Sequence, residues 1–412
     1  MLGVYSFLIS IYLLCIRLAA LFGNKKAQLM VEGHRNVYRI LHEKLEAGEK
    51  YLWFHAASLG EFEQGRPLME RIRKEHPEYK ILLTFFSPSG YEVRKNYNGA
   101  DIICYLPLDT PFNARRFVET VRPAMAFFIK YEFWQNYLKM LQKYQIPVYS
   151  VCSIFRPEQV FFRWYGGQYY KVLSRFTHFF VQNERSRELL ATKGIVNNVT
   201  VVGDTRFDRV KEIALQAKNL PLVTSFKAEA PVFVAGSSWE PDEDLFIPYF
   251  NEHKDWKLII APHVVSETHI KTIQDKLKRK TVRYTQATEE NVKDAECLII
   301  DCYGLLSSVY RYGDIAYVGG GFGVGIHNLL EAAIYGIPVL FGPNNQRFQE
   351  AQELKACGGG LEITDMTTFT ARMDVLLSSV EDLKKAGTAA GTYVNSRIGA
   401  TDKILSNDSL KL

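Results

Sequence analysis

Residues 318–350, VGGGFGVGIHNLLEAAIYGIPVLFGPNNQRFQE, carry the reading on which the rest of the chain depends. An apolar strand over residues 314–318 runs into Gly319, Gly320 and Gly321, a glycine-rich turn comes next, and a helix opens near His327 and Asn328. A strand, glycine loop and helix in that order aim bare backbone N–H groups at the space before the helix, which suits a phosphate. Glu331 stands three residues after Asn328 and shares a face of the first helical turn with it. A carboxylate there accepts hydrogen bonds from a ribose diol, so the unit suits a nucleotide sugar. The helix ends at Gly336, and residues 337–341 resume as buried strand. Glycine turns also occur wherever tight connections need φ > 0. The spacing of His327, Asn328 and Glu331 is what favours the nucleotide.

Working outward, strand and helix alternate along the whole chain. Before the loop come strand 231–235, turn 236–239, helix 242–252, strand 256–261 with Pro262 and His263 in its turn, helix 266–279, strands near Val282 and over 297–301, and helix 305–310. The N-terminal half runs through strands 50–55, 79–86, 101–106, 124–130, 147–151, 178–181 and 199–202, most of them separated by single helices. Such alternation implies parallel sheets covered on both faces. A chain of 412 residues exceeds one hydrophobic core. The expected fold is therefore α/β, two Rossmann-like doubly wound domains facing a cleft. The expected divisions are a terminal segment 1–26, an acceptor-binding domain 27–207 and a nucleotide-binding domain 208–412, with the last helix able to pack back on the first domain.

The net charge of +5 is modest, arguing against a nucleic-acid partner and suiting work beside anionic lipid. The six cysteines lack paired metal-ligand spacing, and neither metal nor cofactor is expected. Residues 4–22, VYSFLISIYLLCIRLAALF, are nearly unbroken apolar sequence of bilayer-crossing length. A signal peptide is disfavoured, because no positive region precedes the run. A spanning helix, a helix lying in one leaflet and a core helix remain open. Lys25 and Lys26 after the run place the adjoining domain on the cytoplasmic side of a membrane.

Strand 50–55 leads into Ala56-Ala57-Ser58-Leu59-Gly60-Glu61. Glu61 is then at the C-terminal end of a strand, where open α/β sheets bind ligands, and is either a general base or a first-turn carboxylate complementing a helix dipole. Arg156, Arg163, Lys171 and Arg175 are interleaved with Phe155, Phe161, Phe162, Trp164, Tyr165, Tyr169 and Tyr170. That pattern is read either as a surface for a phosphorylated lipid or as core aromatics beside solvated cations.

The segments FHAASLGE (54–61), LTFFSPSG (83–90), KYEFWQN (130–136), GDTRFD (203–208), VAGSSWEPDE (234–243), IIAPH (259–263) and HNLLEAAIYGIPVLFGPNNQRFQEA (327–351), in this order, resemble the 3-deoxy-D-manno-octulosonic acid (Kdo) transferases of lipopolysaccharide synthesis. These are membrane-associated glycosyltransferases of the GT-B class. The resemblance implies transfer of Kdo from CMP-Kdo to the 6'-hydroxyl of a tetra-acylated lipid A precursor, inverting and without a metal, at the cytoplasmic face of the inner membrane. It implies Glu61 as catalytic base. Ser237, Ser238, Pro262, His263, Gly319, Gly320, Gly321, His327, Asn328 and Glu331 are implied around the donor, with Glu331 on the cytidine ribose. Ser58, Gly60, Ser87, Ser89, Lys130, Glu132, Arg156 and Arg163 are candidates for the acceptor or the sugar. The family commonly shows A-P-R-H where this chain has Ala261-Pro262-His263-Val264, and its glycine loop is longer. Two other functions fit the same residues: a GT-B transferase with another nucleotide-sugar donor, and a non-catalytic binder of lipid or nucleotide.

Overall fold

The computed structural model describes residues 2–167, 169–323 and 325–412; Met1 of the terminal segment, Gln168 and Val324 of the glycine-rich loop lie outside the described residues. The chain divides into two compact units, Met1–Arg209 with Gly399–Leu412, and Val210–Ile398. Each unit is built on one seven-stranded parallel sheet.

The first sheet comprises β1 (Lys50–Ala56), β2 (Tyr79–Phe85), β3 (Ile102–Tyr105), β4 (Met125–Ile129), β5 (Val148–Ser153), β6 (His178–Val181) and β7 (Val199–Val201), in the order β3-β2-β1-β4-β5-β6-β7. Its central strands are buried on both faces, which is why they read as unbroken apolar runs. Trp53 packs among Phe117, Phe128 and Tyr137 on one face, while Phe54 stacks on Phe127 on the other. Connections run one way from β1 through β2 to β3 and the other way from β4 onward. The order therefore reverses between β1 and β4, and a crevice opens at their C-terminal ends.

Helix α1 (Leu2–Leu21) turns at Gly23 into α2 (Lys25–Lys44), whose N-terminus is capped by the Asn24 side chain. One face of α1 is seated on the first unit: Ile16 packs with Ala27, Met30 and Leu108, alongside Ile9, Leu13 and Phe86. The Tyr5 hydroxyl donates to buried Asp109 at 2.8 Å. The opposite face, including Phe7, Leu8, Leu14 and Leu18, is exposed. Val4–Leu21 is long and apolar enough to cross a membrane. The chain's last helix, Ala400–Leu405, closes the first unit by burying Ile404 in the core beneath β1.

The second sheet comprises β8 (Val232–Ser238), β9 (Lys257–Pro262), β10 (Thr281–Arg283), β11 (Cys297–Ile299), β12 (Ile315–Val318), β13 (Val339–Phe341) and β14 (Gly360–Glu362), in the order β10-β11-β9-β8-β12-β13-β14. Here the reversal falls between β8 and β12. Strand β8 continues through Ser238, so most of the turn expected at 236–239 is strand, with an irregularity between Gly236 and Ser238 and Ser237 at φ +52°. The helix expected from His327 to Gly336 is a single turn, Leu330–Ala333.

Candidate active site

In the first unit the candidate residues collect where the strand order reverses. Ser58 caps helix α3 (Leu59–Glu75), and Glu61 closes a capping box: Glu61 Oε2 accepts from the N–H groups of Ala57 at 2.6 Å and Ser58 at 3.1 Å. The carboxylate is thereby fixed at the end of β1 by its own helix. Burial and the nearby Glu132 charge push its pKa up to about 7, against the opposing pull of His55 and the two backbone N–H groups.

Glu132 comes just after β4, two residues beyond Lys130, which holds the left-handed conformation (φ +65°) that lets the chain leave the strand abruptly. The buried Glu132 carboxylate accepts from the indole N–H of Trp134 at 2.5 Å and from His55 Nε2 at 3.2 Å. His55 is in turn fixed through Nδ1 by Thr84 Oγ1 at 2.9 Å, its cross-strand partner on β2. Facing a carboxylate, Nε2 carries the hydrogen. Two carboxylates and an imidazole are thus brought together, with one carboxylate held by donors and the other favouring its proton.

The loop after β2 lies against this group, because the Ser87 N–H donates to Ala57 O at 2.8 Å and the Ser87 and Ser89 hydroxyls pair at 2.7 Å. Gly60 is exposed beside Glu61. Burial raises the Tyr131 pKa, with Arg156 pulling it down and Glu61 pushing it up; the Arg156 backbone N–H donates to Gln159 within its own loop. Arg163 is exposed and donates through Nε to Glu158 O, within its own loop. The aromatic cluster between β5 and β6 divides: Phe155 and Phe161 are core, whereas Trp164 is 93% exposed.

The second group stands at the reversal between β8 and β12. Pro262 ends β9, and the exposed His263 ring stacks on both Trp239, at 4.6 Å, and His327, at 4.4 Å. The Trp239 indole N–H donates to His327 Nε2 at 3.2 Å, and burial holds His327 below its ordinary range, which keeps that nitrogen an acceptor. Asn328 Nδ2 donates to Glu331 Oε1 at 2.9 Å, placing both polar ends together on the one-turn helix.

Three expected donor contacts are spent inside the fold. The Gly319 N–H donates to Gly236 O and the Gly320 N–H to Asp242 Oδ2, each at 2.9 Å, so neither is the bare phosphate ligand that the sequence implies. The Ser238 side chain is fully buried and its hydroxyl donates to Glu243 at 2.8 Å. The physical reason is close packing. A Cβ on Gly319 would stand 2.4 Å from Ser237 O, and one on Gly321 would stand 2.6 Å from Gly342 Cα. These glycines bring loop and strand together whether or not a ligand approaches. Among the described residues, no group of three or more His, Cys, Asp or Glu side chains is placed to hold a metal ion.

His55, Trp134, Trp239 and Asp242 join these groups without having been singled out as site residues. Each lies inside one of the family-like segments, but only the cross-strand register and the return of the chain bring it to its partner.

Residues 33–209 match the family model described as 3-deoxy-D-manno-octulosonic-acid transferase (kdotransferase). Over 83% of the chain and 90% of its own length, a transferase of that name from Aquifex aeolicus is 29% identical. One from Haemophilus influenzae is 25% identical over 86% of this chain and 85% of its own length. The solved structure of MurG from Acinetobacter baumannii superposes with a TM-score of 0.54 at 12% identity, covering 86% of this chain and 98% of that one, a likeness of fold.

Proposed function

We propose that the chain, a GT-B glycosyltransferase similar over most of its length to 3-deoxy-D-manno-octulosonic-acid transferases, moves Kdo from CMP-Kdo to the 6'-hydroxyl of a tetra-acylated lipid A precursor. The observation that carries the proposal is the Glu61 carboxylate. It is fixed by two backbone N–H groups at the reversal point of a parallel sheet, with its pKa raised to about 7. A base with that proton affinity is substantially ionised at neutral pH, yet takes a proton readily.

In this reading the acceptor hydroxyl attacks the anomeric carbon of Kdo from the face opposite the nucleotide. Its proton passes to Glu61, the new C–O bond forms, and the bond to the phosphate oxygen breaks with its electron pair leaving on CMP. Configuration inverts. Glu132 is held by Trp134 and His55, and after burial its charge is what raises the affinity of Glu61 for the proton. The Glu331 carboxylate, positioned by Asn328, accepts from the cytidine ribose. Arg156 and Lys130 offer charge to the acceptor phosphates or the sugar carboxylate. The apolar Val4–Leu21 helix holds the enzyme at the cytoplasmic face of the inner membrane, and the transfer needs no divalent metal.

The test is transfer from CMP-Kdo to the purified lipid A precursor in detergent with EDTA present. Native protein should form product, and Glu61→Gln should lose at least about a hundred-fold in kcat. Glu331→Gln should instead raise KM for CMP-Kdo about ten-fold with kcat less affected. Product only when a divalent ion is supplied would overturn metal independence; equal activity of native protein and Glu61→Gln would overturn the base.

One observation favours a second donor. His263, stacked on two rings, occupies the place where the resemblance expects an arginine, and backbone N–H groups of the glycine loop are already engaged. Competition separates the readings: CMP protecting the enzyme from thermal unfolding supports CMP-Kdo, whereas protection by UDP alone assigns another nucleotide sugar.

A further inference from the structure

Trp53 and His55 stand two residues apart on β1, so both side chains leave the same face, and the register sets Thr84 of β2 directly beside His55. All three are fully buried. Their polar atoms form one chain whose direction is set by chemistry. The Trp53 indole N–H is a donor only, so the Thr84 hydroxyl oxygen accepts from it at 2.8 Å. The hydroxyl's own hydrogen then has two acceptors within reach, His55 Nδ1 at 2.9 Å and the Phe54 carbonyl at 3.3 Å. The closer one is Nδ1. That makes Nδ1 an acceptor and leaves the ring hydrogen on Nε2, the atom that meets Glu132 at 3.2 Å. Trp134 supplies a second donor to the same Glu132 oxygen. Hydrogen bonding thus runs in a single direction from Trp53, deep under the sheet's face, to the carboxylates at its end.

The ring has an alternative that the hydroxyl closes off. The Thr84 carbonyl lies 3.2 Å from Nδ1, placed to accept a hydrogen from that nitrogen if the ring carried one there. In that tautomer Nε2 and the Glu132 oxygen would face each other as two acceptors. We propose that Thr84 is a positioning residue for the transfer, on the reading that Glu61 is its base: the Thr84 hydroxyl, oriented by Trp53, holds the His55 hydrogen on Nε2 and so gives Glu132 a donor within the carboxylate pair. After burial, the Glu132 charge is what raises the proton affinity of Glu61, and His55 lowers it. The other titratable or charged groups around the pair are Tyr131 with Arg156 and Arg206, and Tyr5 of α1 with Asp109. Without the hydroxyl, the ring hydrogen moves to Nδ1, and a further proton binds between Nε2 and Glu132. Whichever of the two carries that proton, the pair loses one negative charge and Glu61 binds its own proton less tightly.

Two measurements on the full-length protein in detergent test the assignment. The first is heteronuclear NMR of isotope-labelled histidine at about pH 8, with His55→Gln identifying the His55 signals, and it reads which ring nitrogen carries hydrogen. Native protein and Thr84→Ser should show hydrogen on Nε2 and a bare Nδ1, whereas Thr84→Val should show hydrogen on Nδ1. A native ring with its hydrogen on Nδ1, or a ring unchanged in Thr84→Val, would overturn the proposal. The second is the pH dependence of kcat/KM. Thr84→Ser should keep the native midpoint of the acid limb, and Thr84→Val should move it down by about one pH unit. A midpoint that stays in place while activity falls would leave Thr84 a packing residue and overturn its positioning role. If Thr84→Val does not fold, the native and Thr84→Ser spectra still decide, because hydrogen on Nδ1 in either contradicts the assignment. The spectra need neither donor nor turnover, so failure of the tautomer is distinguished from failure of the transfer itself.

Discussion

Glu61 carries two demands that pull its proton in opposite directions. The capping box supplies two N–H donors that favour the anion, while burial and Glu132 favour the acid, and the second influence prevails at about 7. Because the folded pKa lies above the ordinary 4.5, the folded state holds this proton more tightly than the unfolded chain does. Its contribution to stability is therefore full below about pH 4.5 and is lost as pH rises through about 7. Activity runs the other way, since the base must be ionised. Native kcat/KM should rise with pH and level off above about 7. Glu61→Gln, which can still close a capping box, should melt higher relative to native protein at pH 8 than at pH 5. A melting difference that stays constant between those pH values would show that the carboxylate is not strained by its surroundings. Glu61 also shows how far one sequence can be read. Its place after a strand was legible, but base and helix cap could not be separated, because the charge that distinguishes them comes from Glu132, far along the chain at the exit of β4.

At the scale of elements, α1 and the sheet are joined through Asp109. This carboxylate accepts from the Tyr5 hydroxyl at 2.8 Å and from the backbone N–H groups of Asn136 at 3.0 Å and Tyr137 at 2.9 Å, so it holds both α1 and the start of helix Gln135–Lys143. Burial pushes its pKa up to about 6, against those donors. Tyr5→Phe should lower unfolding stability by about 1 kcal/mol, and Asp109→Ala, which strands three donors, by about 3 kcal/mol in denaturant titrations. Equal, negligible effects would mean that α1 is held by apolar packing alone. The unbroken apolar run of residues 4–22 gave the helix and its length, yet could not say that one face rests on Leu108 and Phe86. The glycine loop shows the same limit. Its glycines were legible, but the tasks of Gly319 and Gly321 are set by Ser237 and Gly342, which approach only after the sheet forms.

For the molecule as a whole, the chain's end completes the unit in which the chain began. Asp208 accepts from the N–H groups of Gly399 at 2.6 Å and Thr401 at 2.7 Å and from the Thr401 hydroxyl, while Ile404 and Leu410 are buried in the first unit's core. Removing residues 399–412 exposes those two side chains' cavity, a loss of roughly 3–6 kcal/mol from apolar burial alone. The truncated protein should be insoluble or melt far below the intact chain by calorimetry, and an unchanged melting temperature would show that the segment is dispensable.

The sequence by itself determined the alternation of strand and helix, the two parallel sheets, the apolar first helix and the motifs that carry the family. Each rests on local periodicity and spacing, which the chain displays without folding. Tertiary structure alone decided which polar groups meet. The reversal of strand order brings the ends of β1 and β4 together, and with them Glu61, His55 and Glu132. The same rule at β8 and β12 gathers Trp239, His263 and His327 while consuming the N–H of Gly320. Proton affinity and hydrogen-bond availability depend on distances through space, and those are fixed only when the sheets close.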